Sequence, residues 1–304
     1  MKKFKFSVVM PIYNIESFLN EAINSVINQS IGFKDNIELI LVNDGSTDNS
    51  ETICKKYQEQ YQNNIKYIKQ ENKGVSNARN NGIKLTKGEY INYFDGDDVW
   101  DNEVFEKVYN YFQKNKNIDV ISCRQKYFEN KTKTHSLDYK YKEGSQIIDI
   151  NKNPDYIQMS VASTFIKSNI AKKYTFDESL KYAEDAKYIT NIILEKEKYF
   201  VASDCIYNIR KRNDQTSSTQ NKSSSLDAYT STVKYYYNYL IEYSKEKYNK
   251  IIPYIQYALI NAIKYRVGEA IPDNIPDKIK TEYKNNLIKM LKQIDDEVIL
   301  NTNK

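Results

Sequence analysis

Cysteine and histidine are scarce in this chain of 304 residues, and the scarcity of cysteine argues against a disulfide-linked or zinc-binding protein. The 3 cysteines lie far apart and form no CxxC pair, so we expect neither a disulfide framework nor a zinc site. Their odd number indicates a reducing compartment. The only histidine, His135, stands in a polar segment without a partner pattern, and we assign it no role.

Long apolar runs are missing as well. The apolar residues 7–10, which follow a basic start, stop at Pro11 and cannot serve as the apolar region of a signal peptide. Residues 251–263 form the most apolar late segment, but Pro253 interrupts it, and it is shorter than the ~20 residues that span a bilayer. We therefore expect a cytoplasmic protein, with peripheral contact to the inner face of the membrane left open.

Charge of one sign is not in large excess, because the net charge is only +5. This balance does not indicate a nucleic-acid partner, although it is compatible with weak attraction to an anionic leaflet. With 40% hydrophobic residues, a chain of this length can bury a full α/β core and carry an accessory region.

Residues 90–98 carry the most informative pattern that is present. An apolar and aromatic strand, residues 90–94, runs directly into Asp95-Gly96-Asp97-Asp98. Carboxylates this close repel one another, so we expect an opposing divalent cation on oxygen ligands, as in sites that hold a nucleotide diphosphate. An acidic turn capping the next helix is an alternative. A calcium loop is excluded because Trp100 stands where that loop needs glycine.

The first hundred residues alternate between strands and helices. We predict strands at 4–10, 37–43, 65–70 and 90–94, and helices at 15–29, from the Asp48 turn to about 62, and at 76–85. This rhythm implies a doubly wound sheet whose ligand crevice lies at the carboxyl ends of the strands. Polar clusters at Tyr13-Asn14, Asp44 and Asp95 all fall at such ends.

In the rest of the chain, the predicted helices and strands do not alternate regularly. A helix at 101–114 precedes a strand at 119–123, an irregular or hairpin region at 124–158 and an apolar segment at 160–167. A helix from Glu184 to Leu194 and a strand at 199–209 follow, then a linker at 213–225 and three helices at 226–248, 251–267 and 276–291.

Five blocks of sequence, in this order and spacing, resemble the family 2 glycosyltransferases. They are Val8-Val9-Met10-Pro11-Ile12-Tyr13-Asn14, Val42-Asn43-Asp44-Gly45-Ser46-Thr47-Asp48, Asn72-Lys73-Gly74-Val75-Ser76-Asn77-Ala78-Arg79-Asn80, Phe94-Asp95-Gly96-Asp97-Asp98, and Phe176-Asp177-Glu178 with Tyr182-Ala183-Glu184-Asp185. The resemblance covers about residues 4–217 and implies an α/β GT-A fold, a Rossmann-like doubly wound mixed sheet. It divides the chain into a catalytic domain, 1–217, and a helical C-terminal region, 218–304. Within the domain, the nucleotide-binding half is about 1–100 and the acceptor half about 101–217.

The resemblance also implies the residues that bind the nucleotide. Pro11 and Tyr13 would frame the base, with an aromatic face that suits a pyrimidine. Asp44 would accept a hydrogen bond from base or ribose, and the alternative is an N-cap beside Gly45. Arg79 would reach base or phosphate, and the alternative is a surface salt bridge.

For the chemistry, the resemblance implies a metal site and a general base. Asp95 and Asp97 match the Asp-x-Asp motif that holds Mn²⁺ or Mg²⁺ against the donor diphosphate. Asp185 matches the general base, and the alternative is that the Glu184–Asp185 pair only stabilises the start of its helix. A looser match joins Tyr207 and Arg210 to a serine-rich stretch that could cover the diphosphate.

We therefore expect a metal-dependent inverting glycosyltransferase that moves a sugar from a nucleotide donor, with UDP favoured, to a hydroxyl of a cell-surface glycan. The acceptor would be free or lipid-linked, as in capsule, lipooligosaccharide or a wall polymer. Two rivals stay open: a catalytically silent module, and a sugar nucleotidyltransferase, which would need a glycine-rich basic loop after the first strand. The tyrosine-rich tail is interpreted as helices that pack on the catalytic domain or on a second copy in a homodimer, and the alternative is a membrane-facing surface.

Overall fold

A computed structural model of the chain describes residues 3–129, 134–212, 222–264, 266 and 270–302. The strands in these residues are β1 (Phe6–Ile12), β2 (Ile37–Asn43), β3 (Ile65–Lys69), β4 (Tyr90–Tyr93), β5 (Val99–Trp100), β6 (Val120–Glu129), β7 (Gln146–Asp149), β8 (Thr164–Lys167) and β9 (Lys198–Lys211). The α-helices are α1 (Glu16–Ile27), α2 (Phe33–Asn36), α3 (Ser50–Gln60), α4 (Val75–Ile83), α5 (Val104–Lys114), α6 (Ser168–Ala171), α7 (Glu184–Lys196), α8 (Tyr239–Tyr248), α9 (Pro253–Ile263), α10 (Asp277–Leu291) and α11 (Asp296–Asn301). Short 3₁₀ turns lie at Asp138–Tyr141, Lys222–Ser224 and Leu226–Ala228, and a π-helical turn lies at Val233–Asn238.

The strands form one mixed sheet in the order β3-β2-β1-β4-β8-β6-β9-β5, with β7 on the far side of β9. The first four strands are parallel, and Phe6 of β1 is level with both Ile37 and Tyr90. Their carboxyl ends therefore meet at one edge of the sheet, as the strand-helix rhythm predicts. β2 is buried at every position, which is why its sequence reads as an apolar run.

In the second half of the sheet most neighbouring strands are antiparallel. β8 runs antiparallel to both β4 and β6, and β9 runs parallel to β6 but antiparallel to β5. Trp100 in β5 is level with Tyr207 in β9, so this long strand passes beside the acidic turn that follows β4.

The sheet has a hydrophobic core on each face because alternate residues of β1 point in opposite directions. Val8 and Met10 join the core under α1 and α5, while Val9 joins the core under α4 and α7. The C-terminal helices bury Tyr236 and Tyr254 in this second core. Packing of the tail on the catalytic region therefore agrees with the interpretation of its apolar stripes.

Several boundaries differ from the prediction. β6 extends to Glu129, so the region that begins at 124 is not irregular at its start. A π-helical turn interrupts the first tail helix, and α11 was not predicted. The predicted linker and the boundary between 217 and 218 fall mostly on residues outside those described. None of the described helices is long and apolar enough to cross a membrane.

Candidate active site

The loop after β1 presents an aromatic ring at the edge of the sheet. Pro11 lies partly buried within β1, and Tyr13, which follows it, is 51% exposed. Asn14 adopts the left-handed region, with φ of 50°. Its side-chain oxygen accepts the Thr47 N–H at 2.8 Å, and its own N–H donates to Ser46 Oγ at 3.1 Å. These contacts tie the loops after β1 and β2 together and leave the Tyr13 ring facing outward.

Asp44 is buried at the end of β2 and holds the loop that leads into α4. Its carboxylate accepts the backbone N–H groups of Lys73 and Gly74, both at 2.9 Å, and Gln70 Nε2 at 2.8 Å. Gly74 has φ of 87°, a conformation that favours glycine. Asp44 therefore holds the loop before α4 in place at the edge of the sheet, and it does not cap the helix beside Gly45. Its contact with a nucleotide stays a prediction.

Arg79 joins the two acidic motifs of the sequence. Its side chain on α4 is 4% exposed, so the surface salt-bridge alternative is wrong. Nη2 donates to Asp95 Oδ1 and Nη1 donates to Glu184 Oε1, both at 2.9 Å. The guanidinium carbon also lies 5.2 Å from the Phe176 ring centroid. One buried cation thus brings the turn after β4 and the start of α7 into a single site.

The charges in this site are strongly coupled. Burial opposes the charge on Arg79, but Asp95, Glu184 and Asp185 together hold its pKa above the ordinary value. Burial raises the pKa of Asp95, and the nearby Asp97 and Asp185 raise it further, while Arg79 opposes the rise. Carboxylates are therefore crowded beyond what one guanidinium neutralises.

The other two aspartates of the turn have different partners. Asp97 is 20% exposed, and its Oδ2 accepts Arg212 Nη2 at 2.6 Å and Nε at 3.1 Å. Asp98 is buried, where its two oxygens accept the Tyr207 hydroxyl at 2.6 Å and the Arg210 N–H at 2.8 Å. Burial, with Asp97 and Asp95, raises the pKa of Asp98 well above its usual range. Asp98 therefore fastens β9 to the turn and does not cap α5.

Asp95 and Asp97 fit a cation that arrives with a diphosphate. Within the described ranges, no set of three or more His, Cys, Asp and Glu side chains is grouped as a metal cage. Two carboxylates at an accessible strand end are nevertheless the protein ligands that Mg²⁺ takes when substrate phosphates complete its shell. Asp95 is 38% exposed, so an incoming ligand can reach it.

Asp185 lies in the first turn of α7, beside the Arg79 ion pair. Its Oδ1 accepts the Ala186 N–H at 2.7 Å. Ala183, which precedes the pair, has φ of 66° in the left-handed region, a strained conformation for a residue other than glycine. Because Glu184 is buried against Arg79, Asp185 is the more accessible acid of the two. The geometry is compatible with a base and with helix stabilisation.

Two contributions were not predicted from the sequence. Arg212 follows Arg210 by two residues, and no motif indicates that its guanidinium lies on Asp97. Tyr207 and Arg210, known only as a loose match, both bind Asp98. The serine-rich stretch that follows lies outside the described residues.

Comparison with solved structures defines the class of fold first. TarS 1–349 of S. aureus superposes with a TM-score of 0.71 at 20% identity, covering 97% of this chain and 83% of that one. This likeness confirms the predicted GT-A architecture.

The family follows from the sequence comparisons. The protein-family model described as Glycosyl transferase family 2 matches residues 7–174, which are more than half of the chain. GgaB and GgaA, two minor teichoic acid biosynthesis proteins of Bacillus subtilis (strain 168), are 39% and 33% identical over 98% and 97% of this chain. The chain spans 33% of GgaB and 68% of GgaA. It belongs to glycosyl transferase family 2, and the predicted family and enzyme class are confirmed.

Proposed function

We propose that this chain transfers a sugar from a UDP-sugar to a hydroxyl of a teichoic-acid-type glycan, with inversion at the anomeric carbon. The observation that carries the proposal is the bridge made by Arg79 between Asp95 and Glu184. It holds the acidic turn that would face the donor diphosphate against the helix that carries Asp185. The residues that we propose for the donor, the metal and the base therefore lie near one edge of the sheet, which supports the proposal.

The donor would lie across the ends of β1, β2 and β4. Tyr13 offers an exposed ring for a planar base, and the loop that Asp44 braces forms the adjacent wall. TarS, one of the structural neighbours, was crystallised with UDP-GlcNAc, which supports a UDP-linked donor for this chain.

Asp185 would act on the acceptor. Its carboxylate takes the proton of the attacking hydroxyl while the hydroxyl oxygen forms a bond to the anomeric carbon. The bond from that carbon to the β-phosphate oxygen breaks, and UDP leaves with the electron pair. Mn²⁺ or Mg²⁺, bound to Asp95 and Asp97, would supply Lewis-acid stabilisation of the leaving diphosphate. Throughout the reaction, Arg79 would hold Asp95 on the donor side and Glu184 on the base side at a fixed separation.

The acceptor class rests on the relatives. GgaB and GgaA are described as minor teichoic acid biosynthesis proteins, and TarP of Staphylococcus aureus (strain N315), 33% identical over 208 residues, is described as a poly(ribitol-phosphate) β-N-acetylglucosaminyltransferase. Among the acceptors that the sequence allows, these names favour a wall polymer over capsule or lipooligosaccharide.

The first experiment is calorimetric titration of UDP into the purified chain with and without Mn²⁺, followed by sugar transfer assays. We expect micromolar binding that needs both the metal and Asp97, and loss of binding in Asp97→Asn. Asp185→Asn is the matched control, because it should bind UDP normally and fail only in transfer. Binding by Asp97→Asn equal to wild type would contradict the metal site. Binding in wild type without any transfer would favour a silent module.

A further inference from the structure

Lys211, at the end of β9, and His135 both lie against the ring of Tyr127. Lys211 Nζ is 4.7 Å from the centroid of this ring, and the centroid of the His135 ring is 5.5 Å from it. The Leu137 N–H donates to His135 Nδ1 at 3.2 Å, which holds the imidazole in one orientation. The fold therefore places the histidine that had no role in the sequence beside a lysine from a distant strand.

Helix α9 brings a second lysine to the same region. Lys140 Nζ donates to the Ile157 carbonyl at 3.0 Å, and the Asn261 amide contacts Met159 Sδ at 3.1 Å. Lys264 follows Asn261 by three residues, which is about one turn further along the same face of the helix. The end of α9 therefore packs against the segment that surrounds Lys140.

The charges around His135 are mainly positive. Burial and the positive charges of Lys140, Lys211 and Lys264 lower the pKa of His135 to about 4. Asp138 opposes them, but its carboxylate is paired with an arginine of β6. Lys140 is fully buried, and within the described residues its hydrogen bonds go to neutral oxygens rather than to a carboxylate. Buried charges in proteins are usually paired, so a bound anion would offset this excess.

These basic residues lie beside the proposed metal site but on the other face of the sheet. Lys211 stands between Arg210 and Arg212, and Arg212 binds Asp97. Because side chains alternate along a strand, Lys211 points away from Asp97 and toward the face that α7 and α9 cover. Asp185 lies on that face as well, at the start of α7.

We infer that Lys211, Lys264 and His135 bind a phosphodiester group of the acceptor chain. Lysine ammonium groups bind phosphate as point charges. A neutral imidazole whose Nδ1 accepts a hydrogen bond carries its proton on Nε2 and can donate it to a phosphate oxygen. The inference rests on the proposed function, because a phosphate held here would keep the acceptor chain on the face of the sheet that carries the proposed base.

A membrane surface fits these residues less well than a polymer chain does. Lys211 and Lys264 are each partly buried, so they do not project freely from the protein, and Lys140 behind them is buried completely. A bilayer surface attracts basic side chains that reach out to it, whereas a flexible chain can enter between a strand and a helix. The phosphate is therefore assigned to the acceptor polymer.

The first test measures binding without a donor. A labelled ribitol-phosphate oligomer is titrated with the full chain and followed by fluorescence anisotropy. Lys211→Gln combined with Lys264→Gln should bind it about tenfold more weakly and with less dependence on salt. In transfer assays the same double variant should raise the KM for the acceptor and leave the KM for the donor unchanged.

The matched control is Lys55→Gln combined with Lys198→Gln. It removes the same net charge from two exposed lysines, of which Lys198 stands at the other end of β9, and it should bind the oligomer as wild type does. Equal loss in both double variants, or none in the first, would overturn the inference. Binding of the wild type to vesicles of anionic phospholipid, but not to the oligomer, would overturn it in favour of a membrane.

A second test follows the imidazole itself. His135 is the only histidine of the sequence, so a protein without a histidine tag gives one set of imidazole signals in NMR. The oligomer should shift these signals and raise the pKa of His135, because a phosphate anion stabilises the imidazolium. No shift in the wild type would overturn the inference. A chain that shows the shift but transfers no sugar would instead refute the proposed function and leave the phosphate site in place.

Discussion

Replacing Arg79 by methionine gives the most demanding test of the site, because its side chain joins the acidic turn to α7. The substitution keeps an unbranched apolar stem but removes the guanidinium, so it leaves two carboxylates without their cation. Removing one partner of a buried ion pair costs about 3–5 kcal/mol of unfolding free energy. Asp95 is 38% exposed, so solvent stabilises it in part, whereas Glu184 is only 11% exposed. We therefore expect the lower end of that range, about 3 kcal/mol, in urea unfolding.

The matched control is Arg124→Met. Arg124 makes two hydrogen bonds to Asp138, at 2.6 and 2.7 Å, but is 32% exposed, and its loss should cost about 1 kcal/mol or less. Combining Arg79→Met with Glu184→Met should recover much of the loss, since no buried carboxylate then remains unpaired there. Equal losses in the two arginine variants would refute the account of Arg79 as the central cation of the site.

Two further changes test other parts of the molecule. In Arg212→Gln, Asp97 loses the guanidinium on its Oδ2. Mn²⁺ should then bind about fivefold more tightly, which corresponds to an ion pair of about 1 kcal/mol, and electron paramagnetic resonance measures this binding. Unchanged or weaker binding would show that Arg212 does not compete for Asp97. Lys140 is fully buried, and burial lowers its pKa to about 7. Between about pH 7 and 10 the ammonium of Lys140 stays protonated in the unfolded chain but is neutral in the folded one. The free energy of unfolding should therefore rise across this window by on the order of 4 kcal/mol. The stability advantage of Lys140→Met over wild type should shrink across that window in urea unfolding, and a pH-independent difference would contradict the argument.

The convergence of the strand ends could be predicted from the sequence. Apolar runs that stop at Tyr13, Asp44 and Asp95 indicate parallel strands, and parallel strands present their carboxyl ends at one edge. This prediction needs only local patterns and the rule that connections between parallel strands are right-handed, and the structure confirms it. The roles of the side chains at these ends could not be predicted in the same way, because they depend on contacts between residues far apart in the chain.

The position of Arg79 shows why such contacts escape a reading of the sequence. Its carboxylate partners are 16 and 105 residues away, so nothing near it indicates an ion pair. Its depth is set by Gly82 on the same helix, where an added Cβ would lie 2.4 Å from Val9 Cγ1. Because that glycine lets α4 pack closely on the sheet, the arginine is buried rather than exposed. A basic residue in a polar helix otherwise looks like a surface residue.

On the proposed function, the charges of the site give a reason for donor and cation to bind together. Within the described residues, Asp95, Asp97, Glu184 and Asp185 face the two guanidiniums of Arg79 and Arg212, which leaves an excess of two negative charges. A diphosphate alone would add to this excess and be repelled. A divalent cation offsets it, but Asp95 and Asp97 provide too few ligands to hold one firmly without phosphate oxygens. Each ligand therefore removes the obstacle to the other, and their affinities should be reciprocally coupled.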